Sequence, residues 1–179
     1  MFDRALYVRL RTILRQHESI KMHYLTIRLA NAGNLDFISE CAHEAYQPYV
    51  ADIGQKPAPM IADFASHLAR GELYILEAAE RPIGYIVWWL NDDDLFVDNI
   101  AILPGQQGNG FAGHCFKQLE EIARQNGRSA LKLYTNEKMY GNLNLYQHLG
   151  FEEIQRTIVL VFFELQALAL WKTRQKPTT

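Results

Sequence analysis

The sequence predicts a single-domain α+β protein, and three observations carry that expectation. Apolar β-branched runs alternate with stretches of helical spacing along the chain. Two of those runs, 73–78 and 83–90, are joined by Glu80-Arg81-Pro82 and read as an antiparallel hairpin. A third, 95–103, stops at Pro104 and passes through a glycine-rich turn into a helix, as in a strand–turn–helix unit.

That third stretch organises the chain. Phe111, Cys115, Phe116, Leu119, Ile122 and Ala123 recur at three- and four-residue steps up to Asn126-Gly127, which predicts a helix with an apolar face. Gly108, Gly110 and Gly113 let the backbone approach a ligand closely. The first NH groups of a helix lack internal partners and sit at the positive end of its dipole, so the turn reads as an anion cradle. A nucleotide P-loop needs Lys and then Ser or Thr after its last glycine, and Phe111-Ala112 stand there instead. Gly108-x-Gly110-x-x-Gly113 matches a dinucleotide fingerprint. Its acid is missing from the end of the next strand-like run, 130–135, where the first acid to follow is Glu137, and too little chain remains for a doubly wound domain.

Gln107-x-x-Gly110-x-Ala112 has the form Arg/Gln-x-x-Gly-x-Gly/Ala and resembles the coenzyme A cradle of the GCN5-related N-acetyltransferase (GNAT) superfamily. Downstream, Asn142-Leu-Asn-Leu-Tyr-Gln-His-Leu-Gly-Phe151 is similar to that family's penultimate helix with its closing Leu-Tyr-x-x-Leu-Gly-Phe signature. The resemblance covers about residues 24–155, with its specific motifs inside 100–151. It implies a three-layer α/β/α fold: a twisted, mixed and mostly antiparallel sheet of six to seven strands, flanked by about four helices and splayed between 95–103 and 130–136.

Taken in order, residues 1–21 carry five basic side chains and apolar Phe2, Leu6, Leu10, Ile13 and Leu14 at helical spacing, and read as a helical extension before an acetyltransferase domain at 22–164. A first strand is expected at 24–30, then a turn from Asn31 to Asn34, with Asn34 capping a helix through Leu35, Ile38, Cys41, Ala42 and Ala45. An irregular stretch follows to Met60, then a helix through Ile61, Phe64 and Leu68 to Gly71. Asp92 to Asp94 read as a solvated turn, since a calcium loop would need a glycine and a distant glutamate in register. Beyond Phe151, 152–157 and 158–163 are expected as the last two strands, and 165–179 as a C-terminal tail.

The composition narrows the function. Net charge is −2, with 49% hydrophobic and 21% charged residues and a pI near 6.3, which gives no electrostatic case for nucleic acid or an anionic membrane. The two cysteines lie in helical patterns and read as reduced core thiols, and no signal peptide or membrane-length apolar run is present, so a cytoplasmic location is expected. His43, His67 and His148 lack metal-ligand companions, so no metal is expected.

The resemblance implies an acyl-CoA-dependent N-acetyltransferase that moves an acetyl group from acetyl-CoA to a primary amine by direct attack in a ternary complex. The cradle residues would be Gln107, Gly108, Asn109, Gly110, Phe111, Ala112 and Gly113, with Asn142 either holding the cofactor or capping its helix. The pantetheine arm would run beside Ile100, Ala101 and Ile102, pairing with free backbone groups of Ile100 and Ile102. Tyr146 matches the tyrosine that in many family members protonates the departing thiolate. For the amine's base, Tyr134 stands where some branches carry a glutamate, and Asp98 is an acid in an apolar strand whose pKa burial would raise; a structural hydrogen bond is an equal reading of Asp98. Tyr46, Tyr49, Lys56 and Met60 are the acceptor-side candidates in the region that varies with substrate. The expected partner is a small-molecule or peptide amine, and a homodimer is an admissible assembly. A catalytically silent acyl-CoA or nucleotide sensor is the alternative, and a pyridine-nucleotide oxidoreductase comes third.

Overall fold

The computed structural model describes residues 25–160 and 164–171, with side chains for 25–155. The amphipathic segment read over 1–21 lies outside the described residues. Strand β1 (Leu25–Leu29) opens the fold, followed by a 3-10 turn, helix α1 (Leu35–Tyr46), the single-turn helix α2 (Val50–Ile53) and helix α3 (Phe64–Arg70). Strands β2 (Leu73–Ala78), β3 (Arg81–Leu90) and β4 (Asp94–Ile102) come next, then helix α4 (Phe111–Gln125), strand β5 (Ala130–Leu133), helix α5 (Tyr140–His148) and strands β6 (Glu152–Leu160) and β7 (Glu164–Trp171).

Five strands form one sheet in the order β1-β2-β3-β4-β5, antiparallel except for the parallel β4–β5 pair. Apolar side chains on its two faces build two cores. One joins Leu95, Val97 and Ile102 to Phe111, Cys115, Phe116 and Leu119 of α4 and Tyr146 of α5. The other joins Ile75, Tyr85, Val87 and Ala101 to Ile38, Cys41, Ala42 and Tyr46 of α1 and Phe64 of α3. This is the expected three-layer α+β arrangement.

The sheet differs from expectation at its far end. β6 and β7 pair with each other as a separate two-stranded sheet, and β7 lies against β5. The strand break expected at 157 and the tail expected from 165 are both displaced: β6 runs unbroken to Leu160, and 165–171 belong to β7. No Gly, Pro, Asn or Asp occurs from Glu152 to Leu160, so nothing in that run turns the chain.

Caps and turns differ too. Asn31, not Asn34, accepts a capping bond, from Gly33 N to its Oδ1 at 3.0 Å, while Asn34 Oδ1 accepts from Asn31 N and from Arg28. Asp63 caps α3 by accepting from Ser66 N at 3.0 Å, which leaves Ile61 outside that helix. The β2–β3 turn is Ala79-Glu80, both at positive φ, so Arg81 and Pro82 already belong to β3. Asp94 is buried, ion-paired to Lys132 Nζ at 2.7 Å, and is not part of a solvated turn.

One irregularity positions the site. On β4, Asn99 pairs with Val87 and Val97 with Trp88, so Asp98 is an extra residue in a β-bulge. Side-chain parity flips there, since strand side chains alternate with period two. Leu95 and Val97 face the α4 core, as do Ile100 and Ile102 beyond the bulge. Asn99 and Ala101 are thereby turned toward α1. The pairing of β4 with β5 covers only Asp94–Val97, so past the bulge β4 has no strand neighbour on that side among the described residues.

Candidate active site

The opening between β4 and β5 holds two cavities that meet. The larger, about 660 Å³, runs along Ile100, Ala101 and Ile102 past the turn from Gln106 to Gly113 and is closed by α5 through Leu145, Tyr146 and Leu149. The smaller, about 50 Å³, lies on the α1 side among Ile53, Lys56, Pro57, Ile61, Asp98, Asn99 and Tyr134. Tyr46, Asn142 and Tyr146 line both.

The turn at the head of α4 has the makings of an anion site. Gly110 precedes the helix at φ +79° and Gly108 lies at φ +76°, conformations that L side chains rarely adopt. The first intrahelical bond runs from His114 N to Gly110 O at 3.1 Å, so the NH groups of Phe111, Ala112 and Gly113 precede the ladder. The first turn carries no acidic residue. A phosphate ester fits this end of a 15-residue helix. Gly113 serves the packing as well: a Cβ there would stand 3.3 Å from Leu149 Cδ2, so its absence lets α5 close on α4.

Several expected contacts are already made within the chain. Gln107 Nε2 donates to Ile102 O at 2.9 Å and ties the turn back to β4. Tyr46 Oη donates to Ile100 O at 2.8 Å. The two carbonyls expected to be free are therefore engaged. Leu103 N donates to Ile83 O, so by strand alternation the backbone of Ile102 points away from β3 and into the opening. Asn109 turns its amide to Gln106 O at 3.0 Å and does not line the groove. Asn142 does not cap α5. Its Oδ1 accepts from Tyr49 Oη at 3.3 Å, and its Nδ2 lies 3.6 Å from Met139 Sδ.

Among the described residues Asp98 is the one carboxylate lining the smaller cavity, and it accepts two bonds: from Tyr134 Oη at 2.8 Å and from Asn99 Nδ2 at 2.9 Å. Burial first, and the neighbouring Asp98 charge second, push the Tyr134 phenol up. That is the opposite of what a base requires, so Tyr134 keeps its proton and orients Asp98. Tyr146 packs edge-on against Phe116 and Phe151, and burial pushes its phenol up as well. Tyr46 and Tyr49 are raised by burial too.

Of the acceptor-side candidates, Tyr46, Tyr49 and Lys56 reach the cavities. Met60 does not: it is 7% exposed, in the core with α1, while Ile61, 56% exposed, lines the smaller cavity. A 3-10 turn at Ala58–Ile61 has three residues per turn, and that pitch sends Met60 inward. Asn99, Thr135 and Asn136 also line this cavity and were not anticipated. Only the polar character of Asn99 in an apolar strand signalled it. No group of three or more metal-ligating side chains occurs among the described residues, and no described helix is long and apolar enough to cross a membrane.

Comparison with solved structures finds the same fold in several acetyltransferases. The paiA N-acetyltransferase of Thermoplasma acidophilum, in complex with coenzyme A, superposes with a TM-score of 0.69 at 14% identity over 84% of this chain and 99% of that one. YncA of Salmonella typhimurium, a putative acetyltransferase with its cofactor acetyl-CoA, gives 0.58 at 18% identity over 87% and 98%. The ribosomal-protein-S18-alanine N-acetyltransferase of Escherichia coli gives 0.60 at 18% identity over 87% and 99%. Comparison with the curated proteins found no match. The profile of the acetyltransferase (GNAT) family matches residues 36–151, well over half of the sequence and both motifs. The chain therefore belongs to the acetyltransferase (GNAT) family and is an N-acetyltransferase of the acyltransferase class.

Proposed function

We propose that this protein transfers an acetyl group from acetyl-CoA to the primary amine of a small molecule or peptide, by direct attack with both bound at once. One observation carries the reading: a groove with an anion-binding helix end and a smaller cavity with a carboxylate share Tyr46, Asn142 and Tyr146 at their junction. Acetyl-CoA, when bound, supplies a thioester carbonyl and a thiolate leaving group.

The residues divide the remaining work. Backbone NH groups from Gly108 to Gly113 hold the pyrophosphate, and the β4 edge from Ile100 to Ile102 lines the pantetheine path. An NH of that edge stands as the oxyanion donor. Asp98, oriented by Tyr134 and Asn99, accepts the amine's proton, which becomes acidic as the new C–N bond forms. Tyr146 donates a hydrogen bond to the sulfur as its charge grows. A phenol raised by burial does not surrender its proton outright to a thiolate of pKa about 8.5, so positioning carries the effect. Cys41 and Cys115 are buried with thiols pushed up to about 12, which leaves no reactive thiol for an acyl-enzyme route among the described residues.

Initial rates of thiol release, with acetyl-CoA and an amine both varied, test this. Intersecting double-reciprocal lines are expected. Parallel lines would replace direct attack by a covalent route, and saturable coenzyme A binding without thiol release on any amine would leave a sensor.

A further inference from the structure

Tyr49 crosses the larger groove. Helix α1 packs on one face of the sheet and α5 on the other, so the free β4 edge at Ile100 and Ile102 is the floor between two walls. Tyr46, Pro48 and Tyr49 line one wall, and Gly141, Asn142 and Tyr146 the other. Tyr49 Oη reaches across and meets Asn142 Oδ1 at 3.3 Å. The direction of that bond is fixed. Asn142 Nδ2 faces Met139 Sδ at 3.6 Å, and a thioether sulfur only accepts, so Oδ1 faces the tyrosine and Tyr49 donates. Burial pushes the Tyr49 phenol up, so it keeps the proton it donates.

The backbone of α5 leaves room for this contact. A Cβ on Gly141 would lie 2.8 Å from Tyr49 Oη, closer than packed atoms approach, so the hydroxyl keeps its place only against a glycine. With Tyr46 Oη on Ile100 O at 2.8 Å, the contacts close a ring that runs from the β4 edge through Tyr46, Tyr49 and Asn142 into α5, whose Tyr146 packs on Phe116 in the core beneath the same strand. Tyr46, Asn142 and Tyr146 also line the smaller cavity and Tyr49 does not, so the ring stands where the groove leads into it. A flexible arm lying on Ile100 and Ile102 with its end at that junction passes through the ring. The weakest closure is the Tyr49–Asn142 bond: an O–H···O bond is usually about 2.5–3.0 Å long, and this one is longer.

We infer that Tyr49 is a positioning residue that latches the groove over the pantetheine arm of acetyl-CoA, parting from Asn142 to let the arm in or out and closing around it with the thioester at the junction. The inference rests on the acetyl-transfer reading for the identity of the arm. The bond breaks on entry and again on exit and reforms in between, so the latch slows both steps and leaves the affinity nearly unchanged.

Surface plasmon resonance on the immobilised full chain reads both rate constants for coenzyme A. Tyr49→Phe keeps the ring and removes the donor. Association and dissociation should each quicken about fivefold, as one typical hydrogen bond is worth, with Kd within about twofold. Gly141→Ala should quicken both steps in the same way with no fall in Tm, because alanine suits a helix better than glycine and its Cβ displaces only the hydroxyl. In the double variant that hydroxyl is gone and the nearest ring carbon stands 3.9 Å from the new Cβ, so Gly141→Ala should add nothing to Tyr49→Phe. Unchanged rates in Tyr49→Phe, or additive effects in the double variant, overturn the inference. So does a weaker Kd at an unchanged association rate, which would make Tyr49 an ordinary contact with the cofactor. Failure of the acetyl-transfer reading looks different: the unaltered chain then binds no coenzyme A at all, and the latch falls with it.

Discussion

Tyr46 Oη donates to Ile100 O at 2.8 Å, which pins the last residue of α1 to the backbone of β4 just past the Asp98 bulge. The contact sits where the two cavities meet. It fixes the width of the opening, because among the described residues β4 has no strand neighbour on that side to hold it. Tyr46→Phe removes a buried bond and leaves a carbonyl facing the groove. A loss of about 1 kcal/mol is expected, read as a fall in Tm of about 2–4 °C, with weaker acetyl-CoA binding in the same sample.

Tyr146→Phe separates binding from chemistry. The ring keeps its packing on Phe116 and Phe151, so stability should change little. The turnover number should fall about 100-fold while acetyl-CoA affinity stays within about twofold. Stopped-flow or steady-state thiol release checks the first, and calorimetry the second.

Two glycines give contrasting failures. A Cβ at Gly84 would collide with Ala101 O and stand 3.0 Å from Ile102 Cα, so Gly84→Ala forces β3 and β4 apart and should destabilise the fold by about 1–3 kcal/mol. Gly110→Ala puts a side chain at φ +79° in the anion turn. About 1 kcal/mol of strain is expected, together with a loss of acetyl-CoA affinity out of proportion to the fall in Tm.

High pH should unfold the protein steeply. Burial raises the phenols of Tyr46, Tyr85, Tyr134 and Tyr146 above their ordinary value. Each group is protonated in the folded chain where the unfolded chain has begun to lose its proton. Their stabilisation is complete below about pH 10 and declines above it, by about 1.4 kcal/mol per pH unit per group. Phenolate absorbance should show these four of the nine tyrosines silent until a cooperative transition; four early, non-cooperative titrations would contradict their burial.

The glycine turn before α4 and the buried helix face that carries Tyr146 could be read from the sequence because their structure is local. A glycine at positive φ before a helix, and a tyrosine on an apolar helix face, are set by residues within a few positions of each other. The acceptor side was not legible, because it depends on register. The Asp98 bulge has no Gly or Pro to announce it, yet it turns Asn99 into the cavity. A 3-10 turn exchanges the roles of Met60 and Ile61. Tyr134 reads in the sequence as a base, but it donates to Asp98, 36 residues away in sequence, because the two residues lie just beyond the last β4–β5 pair, Val97 with Leu133. The end of β6 escaped for the opposite reason: an unbroken β-forming run carries no mark of where it stops.

On the proposed function, the groove beside β4 binds acetyl-CoA. The most direct measurement is the shift in Tm with acetyl-CoA, coenzyme A, ATP and NADH, each at about a hundredfold excess over its dissociation constant, where linkage gives about 2.7 kcal/mol, or roughly 5–10 °C at this chain length. That shift is expected with acetyl-CoA and coenzyme A alone, and a smaller one in Gly110→Ala. A shift with ATP or NADH instead, or none with any of the four, would contradict it.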